Sequence, residues 1–127
     1  MSEVPVVDLG GVLLVSIQEE LLDASVATLQ QDLAQRVIDT GARGILIDIS
    51  VVDVVDSFLA RALHEIAAIT SLLAARTVVV GMRPAVAITL VELGLTLPGL
   101  GTALSVGDGL RLLGDTGPGG PATAELP

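Results

Sequence analysis

Apolar and polar positions are arranged along this chain as two short apolar runs followed by segments of helical spacing. The runs at residues 4–9 and 12–17 flank Gly10-Gly11, and such a glycine pair between β-rich runs is typical of a hairpin. Residues 25–39 then carry apolar side chains at three- and four-residue spacing, which predicts the first helix. The pattern therefore predicts two antiparallel strands and then a helix.

The remainder of the pattern alternates between buried strands and helices. Continuous apolar runs predict strands at residues 44–49 and 77–81, and helical spacing predicts helices at 57–74 and 85–93. A short last strand at 103–106 and one or two helical turns at 107–113 complete the series. Because β-α-β units require parallel pairing with right-handed crossovers, we expect an α/β fold whose mixed sheet is covered by helices.

The composition supports one domain with an aliphatic core. Hydrophobic residues make up 51% of the 127 residues, and Phe58 is the only aromatic, which fits a largely parallel sheet buried under helices. We expect this domain to span residues 1–114, followed by a disordered tail rich in Gly and Pro at 115–127. Cysteine is absent, which excludes disulfides and thiolate metal sites.

The charge of the chain argues against two classes of partner. The formal net charge is −9, and the six basic residues, all arginine, are scattered along the chain. Nucleic acid binding requires a concentrated basic face, and an acidic protein is repelled by anionic membrane surfaces. The chain opens without a basic leader, and its apolar stretches are shorter than the roughly 20 residues of a membrane span. We therefore expect a cytoplasmic protein that binds neither nucleic acid nor membrane.

Asp56-Ser57 lies where a buried strand gives way to the second predicted helix. The first backbone N–H groups of a helix lack partners within the helix, and its dipole places partial positive charge there. One interpretation is structural, with Ser57 or Asp56 as the N-cap, worth about 1 kcal/mol. The other is that Ser57 is a phosphoacceptor, since a phosphate is electrostatically favoured at such a position. The two interpretations are compatible.

Other chemistry has little support in the sequence. The acidic residues Asp48, Asp53 and Asp56 could hold Mg²⁺ as in aspartyl-phosphate receivers, but the chain has no lysine to contact the phosphoryl group. His64 follows Ser57 by two helical turns, and no nucleophile elbow surrounds the serine. No glycine pattern fits a nucleotide site. We therefore expect no catalytic residue, cofactor or metal.

Two stretches of the chain resemble a known family. The segment from Asp53 through Asp56-Ser57-Phe58 to Ala60, and the longer segment at residues 80–94, are similar to the STAS domain family of anti-sigma-factor antagonists. More narrowly, they resemble the RsbS-type proteins of the stressosome. The resemblance covers residues 4–113 and implies the STAS fold, with Ser57 as the phosphoacceptor and Asp53, Asp56 and Phe58 beside it as partner-binding residues.

The resemblance also implies a role and a set of partners. RsbS-type proteins assemble with RsbR-type paralogues into a large cytoplasmic complex that holds an RsbT-type serine/threonine kinase, which leaves when the STAS proteins are phosphorylated. A phosphatase resets the serine. By this resemblance the chain is a non-catalytic scaffold and phosphorylation switch for stress signalling, and it forms at least a homodimer within a hetero-assembly.

Two features leave alternatives open. In conventional anti-anti-sigma factors, which bind an anti-sigma kinase directly, the serine is followed by a small residue and glycine, whereas Phe58-Leu59 follow here. This difference favours the stressosome branch and leaves the conventional factor as the alternative. RsbR-type paralogues carry a second acceptor threonine near the first helix, where this chain has Asp23 and Ser25, and we carry no second phosphosite over from the resemblance.

Overall fold

The computed structural model describes residues 4–18, 23–52, 56–92 and 100–114, which form five strands and four helices. The elements, in chain order, are β1 (Val6–Asp8), β2 (Val12–Ser16), α1 (Asp23–Thr40), β3 (Gly44–Asp48), α2 (Ser57–Leu72), β4 (Arg76–Val80), α3 (Pro84–Glu92), β5 (Leu100–Ala103) and α4 (Val106–Gly114).

The strands form one mixed sheet in which spatial order follows chain order, β1-β2-β3-β4-β5. Strand β1 is antiparallel to β2, and β2 through β5 are parallel to one another. Leu46 on β3 lies between Leu14 on β2 and Val78 on β4. The α/β class and the opening antiparallel hairpin predicted from the sequence are confirmed.

The hairpin turn depends on its two glycines. Gly10 and Gly11 have φ angles of 82° and 96°, a backbone region that side chains disfavour and glycine adopts readily. The Asp8 carboxylate accepts a hydrogen bond from the Gly10 amide at 2.8 Å. This turn lets β1 fold back along β2.

The two faces of the sheet are covered by different helices. Alternate residues of a strand point to opposite faces, so Ile45 and Ile47 on β3 pack in the larger core beneath α1, α2 and α3. Leu46 points to the other face, where it packs with Leu113 of α4. All three strand residues are fully buried.

Helix α4 lies close to the sheet because it carries a glycine where the two meet. A Cβ atom at Gly109 would lie 2.6 Å from a methyl carbon of Leu46 and 2.8 Å from one of Val80. Only a residue without a side chain allows this approach.

The predicted last strand and last helix need correction. The strand runs over Leu100–Ala103, pairs with β4 and ends where the sequence predicted it to begin. The Ser105 hydroxyl accepts a hydrogen bond from the Asp108 amide at 3.1 Å and its carbonyl accepts one from Gly109 at 2.9 Å. Ser105 thus caps α4, which makes Val106 helical and the helix nine residues long.

The other predicted boundaries, the end of α2 among them, hold within a few residues. That helix ends at Leu72, two residues early, because Ala74 adopts a φ of 65° and turns the chain toward β4. The predicted tail at 115–127 lies outside the described residues. Over the described segments, no helix is both long enough and apolar enough to cross a membrane.

Candidate functional site

The start of α2 is capped by Asp56. This residue has extended backbone angles, and its side chain accepts a hydrogen bond from the Leu59 amide at 2.9 Å. Its carbonyl accepts the first intrahelical bond, from the Ala60 amide at 3.1 Å. The sequence allowed either Ser57 or Asp56 as the N-cap, and in the structure the cap is Asp56. The Ser57 hydroxyl therefore has no capping role.

Ser57 is the first residue of α2, and its side chain is exposed. A hydroxyl in the first helical turn stands where the amide dipoles favour added negative charge. Solvent reaches it, so a modifying enzyme has access. Its role as phosphoacceptor remains a prediction from the sequence.

We expect Asp56→Ala to destabilise the protein by about 1 kcal/mol, because the Leu59 amide loses its partner. Urea denaturation followed by circular dichroism would measure this. Asp39→Ala, in the last turn of α1, serves as the matched control and should change stability by less. Equal stability of Asp56→Ala and the parent would contradict the capping assignment.

The loop that leads toward Ser57 is held by the neighbouring loop of the sheet. The Asp48 carboxylate accepts a hydrogen bond from the Ser50 amide at 2.9 Å, and Arg83 Nε donates to the Ser50 carbonyl at 2.9 Å. A Cβ atom on Gly81 would lie 2.7 Å from that of Ser50, so the two loops are in close contact. The β4–α3 loop therefore contacts and supports the chain that precedes Ser57.

This contact between the two loops was not predicted from the sequence, although a signal for it was present. Parallel strands that are neighbours in a sheet bring their carboxyl-terminal loops together. Arg83 follows β4, and Ser50 follows β3, so their proximity follows from the predicted topology. What the sequence does not specify is that the arginine bonds to a backbone carbonyl.

Phe58 lies at the edge of a groove between α1 and α2. Its side chain is 37% exposed, and the groove of about 370 Å³ is lined by residues of both helices, namely Val26, Ala27, Gln30, Phe58, Arg61, Ala62 and Glu65. Gln30 Nε2 on α1 donates to Glu65 Oε1 on α2 at 3.1 Å. The structure thus places a half-exposed aromatic next to Ser57 and beside a concave surface.

Among the described residues, Asp48, Asp56 and His64 are not grouped into one site. Asp48 accepts a hydrogen bond from the Ser50 amide of its own loop, and Asp56 accepts one from the Leu59 amide of α2. Asp53 lies outside the described residues. Within the described ranges no three His, Cys, Asp or Glu residues are grouped to hold a metal. His64 is exposed and lies about 10 Å along α2 from Ser57, which is too far for a hydrogen bond.

Helix α3 presents apolar side chains to solvent. Ile88 and Val91 are exposed, while Val86 and Leu90 pack into the larger core. The helix is therefore apolar on its outer side as well as its inner side. Exposed apolar residues grouped in this way are typical of surfaces that contact another protein.

Comparisons with known proteins identify the family. The family model for the STAS domain matches residues 3–107, and no match was found among curated protein sequences. The structure of an RsbS variant from Moorella thermoacetica, in which a serine is replaced by glutamate, is 41% identical. It has a TM-score of 0.76, with 90% of this chain and 97% of that chain covered.

Two further structures are similar. One, described as the molecular architecture of the stressosome, a signal integration and transduction hub, is 40% identical with a TM-score of 0.77, and the match covers 87% of this chain and 96% of that one. The unphosphorylated anti-sigma factor antagonist SpoIIAA is 15% identical over 87% of this chain and 96% of its own, with a TM-score of 0.67, a likeness of fold alone. The chain belongs to the STAS domain family and, within it, is similar to the RsbS proteins of stressosomes.

Proposed function

We propose that this protein is a non-catalytic scaffold subunit of a stressosome-type assembly and a phosphorylation switch within it. In its unmodified form it binds an RsbT-type serine/threonine kinase, and phosphorylation of Ser57 releases that kinase. The assembly would form in the cytoplasm with an RsbR-type paralogue, and a phosphatase would reset the serine. The similarity to the RsbS structures supports a scaffold role of the STAS type.

The observation that carries this proposal is the exposed position of Ser57 at the first residue of α2. In the transfer step the Ser57 oxygen bonds to the γ-phosphorus of ATP, the bond from that phosphorus to the β–γ bridging oxygen breaks, and ADP leaves. A base of the kinase takes the hydroxyl proton. The product carries about −1.5 to −2 charges at pH 7 where the parent carried none.

Charge at this position changes the surface that the kinase would contact. Asp56 already places one carboxylate beside Ser57, and the half-exposed Phe58 lies on the other side. A dianion there must be desolvated when a partner covers it, and it repels acidic groups of that partner. A tenfold loss of affinity requires only about 1.4 kcal/mol, which is well within the effect of one buried charge.

A direct binding measurement tests the proposal. The kinase would be titrated by calorimetry with the unmodified protein and with protein carrying phosphoserine at position 57. We expect the modified form to bind at least about tenfold more weakly. Ser57→Asp should weaken binding less than phosphoserine, because it adds one charge instead of nearly two. Equal affinity of the unmodified and phosphorylated forms would refute the switch.

The exposed apolar face of α3 supports the assembly part of the proposal. Ile88 and Val91 provide a surface for contact with a further STAS subunit.

The second candidate function, a conventional anti-anti-sigma factor, also fits the fold, since SpoIIAA shares it. Affinity purification followed by native mass spectrometry separates the two. We expect a high-mass particle with an RsbR-type paralogue, whereas a small heterodimer with an anti-sigma kinase would favour the alternative.

A further inference from the structure

Arg61 lies one helical turn after Ser57 on the exposed side of α2. Residues at i and i+4 of a helix are neighbours, with Cβ atoms about 5–6 Å apart. Helical Cα–Cβ bonds tilt toward the amino terminus, so the Arg61 side chain leans toward the turn that contains Ser57. Both side chains are exposed, and a group attached to the serine would therefore lie within reach of the guanidinium.

The Arg61 guanidinium is available for such a contact. Across the described segments it takes part in no hydrogen bond or ion pair. Glu65, four residues after Arg61 on α2, accepts a hydrogen bond from Gln30 of α1 and not from Arg61. Other arginines are engaged elsewhere: Arg36 with Asp32, Arg111 with Asp108, Arg43 with the Leu113 carbonyl and Arg83 with the Ser50 carbonyl.

We propose that Arg61 binds the phosphate of phosphorylated Ser57. This inference rests on the proposed phosphorylation of Ser57, and it adds which side chain binds the phosphate. The planar guanidinium offers paired N–H donors that match phosphate oxygens. The order along the helix, anion first and arginine four residues later, is the favourable one because it agrees with the helix dipole.

The pairing changes more of the surface than the serine alone. Arg61 lines the groove between α1 and α2 together with Phe58. When its guanidinium turns toward the phosphate, the groove loses an exposed cation at the same time as the helix start gains a dianion. A partner that contacts both Phe58 and Arg61 would thus encounter two coupled changes from one modification.

The pairing can be tested without a kinase by encoding phosphoserine at position 57 during synthesis. The second pKa of the phosphate would be followed by ³¹P NMR in a pH titration of the full chain. A nearby cation stabilises the dianion and lowers this pKa, so Arg61→Gln should raise it by about 0.3 unit. Arg111→Gln, on the opposite face of the sheet, is the control and should leave it unchanged.

Other charged groups near the phosphate are held constant in this design. Asp56 raises the second pKa of the phosphate and the helix dipole lowers it, equally in both variants. All proteins in the comparison would carry His64→Gln, so that α2 holds no histidine. From α1 the groove contributes the neutral Gln30.

A second readout observes the arginine itself. The ¹⁵N-resolved Nε–H signal of Arg61 should move when position 57 carries phosphoserine, and the Arg111 signal should not. A titration of Arg61→Gln identical to that of the parent, with an unmoved Arg61 signal, would overturn the pairing. If instead the kinase leaves Ser57 unmodified while the encoded phosphate pairs with Arg61, the proposed function fails and the pairing stands.

Discussion

Ser57→Ala is expected to hold the kinase permanently in a reconstituted assembly, even when ATP and the activating signal are present. The substitution removes the oxygen that would accept the phosphoryl group, and it leaves the Asp56 cap intact. Alanine is a good helix former, so α2 should form normally. Size-exclusion chromatography of the mixture should show kinase in the high-mass fraction with Ser57→Ala and in the free fraction with the parent.

The matched control for that experiment is Ser71→Ala. Ser71 is a second exposed serine of α2, near the other end of the helix. This variant should release the kinase as the parent does. Kinase release from Ser57→Ala at the parental rate would contradict the assignment of the phosphoacceptor, and loss of release from both variants would assign the effect to the helix as a whole.

Leu63→Ala is expected to destabilise the protein by about 2–5 kcal/mol, the usual cost of truncating a fully buried leucine. The Leu63 side chain is fully buried and packs in the larger core between α2 and the sheet. Because α2 carries Ser57 at its start, the same substitution should also loosen the packing of the helix that presents this serine. The melting temperature should fall by roughly 8 °C or more, at about 4–8 °C per kcal/mol.

Leu72→Ala provides the same chemical change on the surface of the same helix. Leu72 is 87% exposed, so its truncation should alter stability by no more than about 0.5 kcal/mol. The chain has no Trp or Tyr, and unfolding should therefore be followed by far-ultraviolet circular dichroism at fixed protein concentration. Similar losses for the two variants would show that α2 packs on the sheet through a different face.

Much of the fold follows from hydrophobic periodicity. Strands β3 and β4 are buried on both faces and read as continuous apolar runs, while α1 and α2 show helical spacing. The last strand was misplaced because β5 contains Gly101 and Thr102 and is only partly buried. Its identity as a strand comes from backbone pairing with β4, which local composition does not encode.

The site was predictable to a smaller extent. The position of Ser57 at a helix start follows from the apolar pattern around it, and its exposure agrees with that prediction. Two features of the site depend on how elements distant in sequence come together. They are the hydrogen bond from Arg83 to the Ser50 carbonyl and the groove beside Phe58. Periodicity describes one element at a time, so such contacts between loops and helices require the assembled fold.

Phosphosite mapping of the kinase reaction tests the central claim most directly. The protein would be incubated with its kinase and ATP, and its intact mass and peptides would be analysed together with the fraction of kinase still bound. We predict a single added phosphate, located on Ser57, and loss of bound kinase in proportion to it. Phosphate at another residue, or full occupancy of Ser57 with the kinase still bound, would contradict the account.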